Sequence, residues 1–520
     1  MANIESTALK TRSNLRDGFA ACEPAEFDTN VLGQFIARQR WFGGKAEPID
    51  KVVVKDIMPL FAQPLPMAVL RVDVATANHA ATYQIFVAAV AEDEAAKIDA
   101  RAQIGRYVAR GDKGLLCEAI HVPAFRSELA QLLSSGGSRG SKDITWNVER
   151  VVSKDQAPFA TATSKVSTAE QSNSSIIYGD VAILKLYRRL EAGENPDVEI
   201  GRFLTEKTSF AHVPAVFGAI YFGEKDGPRT VAGMLARLVP AIGDGWSHAL
   251  SVLEPYLAGD PSATQVPFIE DAFELGRVTR GLHEALASQP TYPGFEVTAT
   301  EPDDVRVWAE RVAAEAEETI TAFAHSRAAE QGVALAPAMQ DLLTQASARV
   351  KTRTAQITRI LAQGAGSRIR HHGDYHLGQV LRQKDGQYAI IDFEGEPARP
   401  LGERRAHHSP LRDVAGMLRS LGYAAAAVAQ RLPEGPEAAQ IRERGAVWEQ
   451  VVRKVYLLGY AQVPAENLAT LLPPTAEATR SLTELFELEK AFYELRYEMN
   501  NRPAWVGIPL HGIARILAGE

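Results

Sequence analysis

Cysteine is almost absent: Cys22 and Cys117 are the two among 520 residues. Two thiols cannot build a disulfide framework, and their separation matches no metal-ligand spacing, so the expectation is a protein of a reducing compartment. Excess positive charge is lacking too. Lys and Arg total 56 against 64 Asp and Glu, a formal net charge of −8. That balance argues against nucleic acid as a partner, because phosphate-backbone binders carry a basic face. No apolar run is long enough to span a bilayer, and the first residues lack the apolar core of a secretory signal. A cytoplasmic protein without a membrane partner is expected. No internal repeat and no sustained heptad is visible. What remains is ordinary globular composition, 46% hydrophobic and 23% charged, in a chain long enough for two or three cores.

Along the chain, apolar spacing predicts a helix over Thr29–Gln39 with Val31, Leu32, Phe35 and Ile36 on one face. It runs into Arg40-Trp41-Phe42-Gly43-Gly44-Lys45, which reads as an aromatic anchor closing a small domain, with a lid over a ligand as the sharper alternative. β-rich segments follow from Val52 to Val90, then a helix over Ala124–Leu133. Ser134-Ser-Gly-Gly-Ser-Arg-Gly-Ser141 reads as a flexible linker and a domain boundary. A second β-rich unit covers 142–240, centred on a hairpin turning at Gly179-Asp180. Its second strand carries Lys185, a charge that needs a partner if buried. Glu199, on a helix that starts near Pro196, is the partner expected. Beyond Trp246 amphipathic helices are predicted over Ser247–Ala258, Ile269–Ala287, Pro302–Ala329, Ala336–Gln363, Leu411–Ala429, Ile441–Gly459 and Thr475–Tyr497. A β-rich N-terminal part, a hinge and a helical C-terminal part form a bilobal α+β plan, with a ligand expected in the cleft between lobes.

The helical part is interrupted by a polar stretch, Arg370 to Glu396. A loop from His371 to Gly378 offers the carboxylate of Asp374. A hairpin follows, Gln379-Val-Leu-Arg and Tyr388-Ala-Ile-Ile joined by Lys384-Asp-Gly-Gln, since Asp-Gly between apolar runs signals a tight turn. Asp392 is released at its end. Asp374, Gln379 and Asp392 should therefore converge, offering hard oxygen ligands for Mg²⁺ and one carboxylate left as a base. Phosphoryl transfer asks for these posts and for a lysine on the non-reacting phosphates, which Lys185 fills. The loop containing Ser172, Asn173, Ser174 and Ser175 is rich in hydroxyls and amides and is a candidate phosphate cradle. It has no G-x-G-x-x-G, so its signal alone is weak. Three histidines, His371, His372 and His376, suggest zinc, but Gly373 argues against the helix that would align them.

The segment His372-Gly-Asp-Tyr-His-Leu-Gly-Gln379 with Ile391-Asp-Phe-Glu394 resembles the catalytic segment of aminoglycoside-phosphotransferase-like kinases, relatives of the protein kinases. Together with Arg38–Lys45, Ser409–Arg419 and Tyr493–Pro503 it resembles the bacterial maltokinase family, including forms fused to trehalose synthase. The resemblance implies a bilobal protein-kinase-like fold: an N-terminal α/β cap over 1–135, a β-rich nucleotide-binding lobe over 136–240 and a helical lobe over 241–520. It implies ATP-dependent phosphorylation of the anomeric hydroxyl of maltose to maltose 1-phosphate for glycogen and α-glucan synthesis, with trehalose synthase as a functional partner. By motif, Asp374 is the catalytic base, and Gln379 and Asp392 hold magnesium. Lys185, paired with Glu199, meets the ATP phosphates, and Leu235–Val239, including Arg237 and Val239, is the hinge that reads adenine. Asp413 braces the catalytic loop. Glu394, where protein kinases have glycine, is a candidate further metal contact.

For the sugar, Glu494, Tyr497 and Glu498 share a helix face at i, i+3 and i+4 spacing. Asn501, Arg502 and Trp505 follow where the helix breaks at Pro503, and His376 is a further candidate for the same acceptor. Carboxylates, amides and an aromatic face suit a polyhydroxylated ring, whereas a polar helix end over a core tryptophan is the plainer reading on pattern alone. One alternative of the same chemistry is a kinase of another sugar, such as glucosamine. An alternative of another class is a non-catalytic nucleotide- or glucan-binding partner of trehalose synthase, against which stands the absence of any vacant catalytic post.

Overall fold

The computed structural model describes residues 6–45, 47–140, 144–151, 159–167, 172–224, 227–260, 265–326, 337–432, 437–461 and 471–518. The chain divides into two compact units, residues 1–206 with 214–238, and residues 207–213 with 239–520.

The first unit is built from two seven-stranded sheets. In the first sheet, β1 (Thr7–Lys10), β2 (Lys51–Phe61), β3 (Met67–Ala75), β4 (Ala80–Ala91), β5 (Gln103–Ala109) and β6 (Asp112–Glu118) run in the order β1-β5-β6-β4-β3-β2. In the second, β7 (Gly137–Gly140), β8 (Ile144–Arg150), β9 (Ser164–Val166), β10 (Ser174–Tyr178), β11 (Ala182–Leu186), β13 (Val216–Glu224) and β14 (Thr230–Arg237) run β7-β8-β13-β14-β11-β10-β9. Directly after β11 the chain leaves the second sheet, and β12 (Arg189–Leu190) pairs with β4 in the first.

Alternation explains why β4 is buried almost throughout. Phe86, Ala88 and Val90 enter one core, whereas Ile85, Val87 and Ala89 enter another on the opposite face. The latter core holds helix α1 (Thr29–Ala37), capped by Asp28, with Trp41 and Phe42 packed against Tyr83. The former is shared: residues of the second sheet, among them Trp146, Ile176, Leu184 and Phe222, complete it. Helix α2 (Pro123–Ser135) inserts Phe125, Leu129 and Leu133 there. The far face of the second sheet is covered by Val198 of helix α3 (Pro196–Lys207).

One expectation is corrected here. The glycine- and serine-rich stretch 134–141 is not a free linker within its described part. Ser134 and Ser135 end α2, and Gly137–Gly140 pairs with β8 as an edge strand. Three glycines at positive φ, Gly136, Gly137 and Gly140, let the chain turn tightly from helix into sheet. Composition marks glycine-rich segments as flexible only when nothing nearby satisfies their backbone groups. Ser141 lies outside the described residues.

The second unit is mostly helical: α4 (Gly245–Ala258), α5 (Ile269–Ala287), α6 (Pro302–Ala324), α7 (Pro337–Leu361), α8 (Leu401–Arg404), α9 (Leu411–Arg431), α10 (Ala438–Ala461), α11 (Ala476–Asn501) and α12 (Gly507–Ala518). Within the described residues the predicted helices fall on these with shifts of a few residues at their ends; the predicted end at Ala329 and start at Ala336 lie outside the described residues. Helix α9 packs against both α10 and α11, and α5 lies along α10. A small sheet, β15 (Ala241–Asp244), β18 (Val380–Gln383) and β19 (Tyr388–Ile390), sits among them, and β16 (Thr298–Ala299) pairs with β17 (Ser367–Arg368). No helix of the described residues is long and apolar enough to cross a membrane.

Candidate active site

The hairpin forms where the sequence places it. Val380 pairs with Ile390, and Arg382 with Tyr388. Gly386 takes φ 85° in the turn, a conformation that suits glycine. Two contacts hold it in the second unit. Asp271 of α5 accepts hydrogen bonds from Arg382 Nε at 2.9 Å and Tyr388 Oη at 2.8 Å. Burial would raise that carboxyl, but bonds from His248, Arg382 and Tyr388 outweigh it and hold its pKa at about 2. Residues 207–213 add a further bridge, with Ile390 N–H donating to His212 O at 2.7 Å.

At the open end, Ile391 N–H donates to Gln379 O at 3.0 Å, and Gln379 Nε2 donates to Asp392 Oδ2 at 3.0 Å. Gln379 and Asp392 are thus brought together across the hairpin. Asp392 adopts φ 69°, the left-handed region that non-glycine residues enter only under constraint. The amide bond turns the Gln379 nitrogen toward Asp392. The Asp392 and Glu394 carboxylates, two residues apart, have oxygens within 4.8 Å of each other, a hard-oxygen pair whose chemistry fits Mg²⁺.

The loop that carries Asp374 is fixed from below. Asp413, in the first turn of α9, accepts from His372 N–H at 2.8 Å and Gly373 N–H at 3.0 Å, with His283 Nε2 at 3.1 Å. Burial opposes its charge, yet the His283 bond and neighbouring His371 hold its carboxyl well below the usual range. Gly416, one turn along, is required by close approach: a Cβ there would lie 2.5 Å from Tyr375 O. Both ring nitrogens of His372 are occupied, Nε2 by Ile391 O at 2.9 Å and Nδ1 by Asp374 N–H at 3.4 Å. Neither is free for the zinc reading.

Asp374 itself is held by a residue the sequence did not single out. Lys490 of α11 lies 3.0 Å from Asp374 Oδ1. Burial pushes the Asp374 pKa up, but Lys490 and then His376 outweigh it, leaving the carboxyl at about 2. Beside this pair opens a cavity of about 520 Å³. Of the seven expected sugar residues, His376, Glu494, Tyr497, Glu498, Arg502 and Trp505 line it. Asn501 does not: its side-chain amide donates back to Tyr497 O at 2.9 Å, and it is exposed. Glu494 is paired with the buried Arg419 at 2.6 Å, and Glu498 with Arg502 at 2.6 Å. The Arg502 guanidinium lies 5.6 Å from the Tyr497 ring and 4.5 Å from the Trp505 ring, so these aromatics stand with a cation between them. Trp246, Tyr423, Tyr493 and Asp244 also line the cavity, and sequence spacing gave no sign of them.

In the first unit, Lys185 projects from β11. Its Nζ lies 3.0 Å from Asp197 Oδ2, which also accepts from Tyr187 Oη at 2.9 Å. Asp197 is therefore a partner that the sequence reading did not name; Glu199 stands half-buried two positions further along α3. Ser172 and Asn173 precede β10, but Ser174 and Ser175 belong to that strand and are buried, with Ser174 Oγ accepting from Arg188 Nε at 2.8 Å. The cradle expected over 172–175 is thus cut to its first two residues, because strand pairing with β11 claims the others. Arg237 ends β14, its N–H donating to Ala215 O at 2.9 Å, and Val239 O accepts from Ala241 N–H at 2.8 Å.

With this geometry in hand, comparison with known proteins defines the class. The chain has the α+β fold of solved glucosamine kinases. It aligns over 97% of its length with a solved glucosamine kinase in a second crystal form, covering 100% of that chain at a TM-score of 0.63 and 21% identity. A glucosamine kinase solved with glucosamine, ADP and inorganic phosphate gives 0.61 at 20% identity, over 93% of this chain and 99% of that one. Residues 35–121, which include β2 to β6 of the first sheet, match the family model of the maltokinase N-terminal cap domain. In sequence it is 28% identical over 342 residues to a glucosamine kinase of Streptacidiphilus jiangxiensis, 65% of this chain and 70% of that one. It is 27% identical over 344 residues to one of Mycolicibacterium smegmatis, 66% and 76%.

Proposed function

We propose that this protein is an ATP-dependent sugar kinase and that maltose, phosphorylated at its anomeric hydroxyl, is its acceptor. The observation that carries the reading is the Asp374 carboxylate at the wall of a cavity lined by hydrogen-bonding side chains and aromatic rings. In this reading the acceptor hydroxyl donates to Asp374 while its oxygen forms a bond to the γ-phosphorus of ATP. The bond from that phosphorus to the β-γ bridging oxygen breaks, ADP leaves, and the hydroxyl proton passes to Asp374. Gln379 and Asp392, with Glu394, would hold a magnesium ion, which supplies charge neutralisation at the phosphates. Lys185, fixed by Asp197 and with Glu199 nearby in sequence, is the nucleotide-phosphate lysine. Ser172 and Asn173 offer phosphate contacts, and Arg237 to Val239 the adenine-reading backbone.

Maltose is favoured over a cationic sugar because the cavity carboxylates are mostly neutralised already: Asp374 by Lys490, Glu494 by Arg419 and Glu498 by Arg502. The matched maltokinase cap supports the same choice. A second reading, glucosamine as acceptor, is favoured by the relatives named above and by one residue. Asp244 lines the cavity without a cation partner among the described residues, accepting only from Ser247. An ammonium group would suit it. A panel of maltose, glucose and glucosamine with ATP and Mg²⁺, read by ³¹P NMR, tests the choice. Maltose 1-phosphate is the expected product; turnover of glucosamine without maltose overturns the first reading. Asp244→Asn should then lower glucosamine use selectively.

A further inference from the structure

Helix α11 does two things at once. Tyr493, Glu494, Tyr497 and Glu498 line the cavity, and Lys490, one turn earlier on the same face, reaches Asp374. The neighbouring Glu489 points to the floor of the loop, where it accepts from Arg412 at 2.9 Å and from Arg399 at 3.1 Å. Arg412 directly precedes the bracing Asp413. Glu396 closes the network, lying 3.8 Å from Lys490 Nζ and bonded to Arg399 at 2.5 Å. Three anions beside three cations therefore tie α11 to the Asp374 loop. Within Asp374 the two oxygens differ. Oδ1 is bonded to Lys490, whereas Oδ2 has no hydrogen bond among the described residues and lies 3.9 Å from His376 Nε2.

We infer that Lys490 is a positioning residue for the transfer step: its ammonium takes one oxygen of Asp374, keeps the group ionised and leaves the other oxygen to receive the acceptor hydroxyl. The inference rests on the reading of Asp374 as the group that faces the acceptor. The groups around Asp374 are Glu489, Lys490 and Tyr493 from α11, His372, Tyr375 and His376 from its own loop, Glu396 and Arg399 from the segment after the hairpin, and Arg412 and Asp413 from α9. Of the two cation sources, the lysine is permanently charged at neutral pH, while burial lowers the His376 pKa. Because the same helix face seats the sugar, a ligand that displaces α11 also displaces the base.

Lys490→Met and Lys490→Arg separate charge from packing. Lys490→Met is expected to lower kcat by about 10–100-fold with KM for ATP unchanged, and to raise the acid limb of the kcat/KM profile by roughly 1–3 pH units. Lys490→Arg should return the limb toward its wild-type position. A limb that stays in place in Lys490→Met, or the same loss in both variants at equal thermal stability, overturns the inference. A readout without turnover keeps it separate from the proposed function. In protein labelled with [ε-¹³C]lysine, with the Lys490 signal assigned by its loss in Lys490→Met, Asp374→Asn should shift the Lys490 titration to lower pH. An unchanged titration sinks the clamp even if the enzyme phosphorylates maltose. A wild-type protein inert toward every sugar sinks the proposed function while leaving this measurement intact.

Discussion

Two ion pairs, one in each unit, have the same chemistry and opposite surroundings. Arg188 bonds Glu118 at 2.5 Å with both side chains almost wholly buried, 0% and 2% exposed, and its guanidinium lies 5.0 Å from the Trp41 ring and 5.6 Å from that of Phe86. Lys490 and Asp374 are 25% and 20% exposed, and both line the large cavity. The first pair is closed. It stands where the chain crosses from β11 to β12, and with Gln84, which donates to Tyr187 O and Ala232 O, it fastens one sheet to the other. The second keeps an oxygen available to a ligand. Burial of charge alone therefore does not separate a structural pair from a candidate functional one; what distinguishes the second is an oxygen left open beside a cavity.

Breaking each pair should separate these roles. The largest effect is expected for Asp374→Asn, a fall in kcat of about 10³–10⁴-fold, or roughly 4–5.5 kcal/mol of barrier, with nucleotide binding nearly unchanged. Steady-state kinetics with calorimetric ATP titration checks it. Arg188→Met should do the reverse in kind: about 3–5 kcal/mol of stability lost, because Glu118 is left buried without its partner. Urea unfolding measures that loss, and replacing Glu118 by an apolar residue in the same chain should recover part of it. A smaller effect is expected at the cavity wall. Trp505→Ala should raise KM for the sugar about tenfold, near 1.4 kcal/mol, while leaving KM for ATP alone.

A further effect concerns pH. Burial lowers the His371 pKa to about 3, so the folded chain resists a proton that the unfolded chain accepts near 6.5. The stability this neutral histidine contributes is complete above that value and is lost as pH falls from about 6.5 toward 3, by roughly 1.4 kcal/mol per unit. Melting temperatures between pH 7 and 4.5 should drop accordingly, and His371→Gln should flatten the slope.

The Arg370–Glu396 stretch shows how much was legible in advance. A two-residue turn signal between apolar runs sets the register of β18 and β19, and the register alone sets Gln379 beside Asp392. The face of α11 was legible for the same reason, since spacings of three and four residues fix neighbours on a helix whatever it packs against. Even there local reasoning failed at the end of the helix, where Asn501 bonds to its own backbone rather than facing the cavity.

Sequence by itself determined what depends on neighbours a few residues apart: helices, hairpins, and which residue types share a face. Tertiary structure alone decided which charges meet. Lys490 is 116 positions from Asp374, and Arg188 is 70 from Glu118. Asp197 and Glu199 lie 12 and 14 positions from Lys185 in the chain, and local spacing does not name Asp197 as the carboxylate that Nζ meets. A long-range ion pair is chosen among many carboxylates and cations by the packing of whole elements, and no local pattern carries that information.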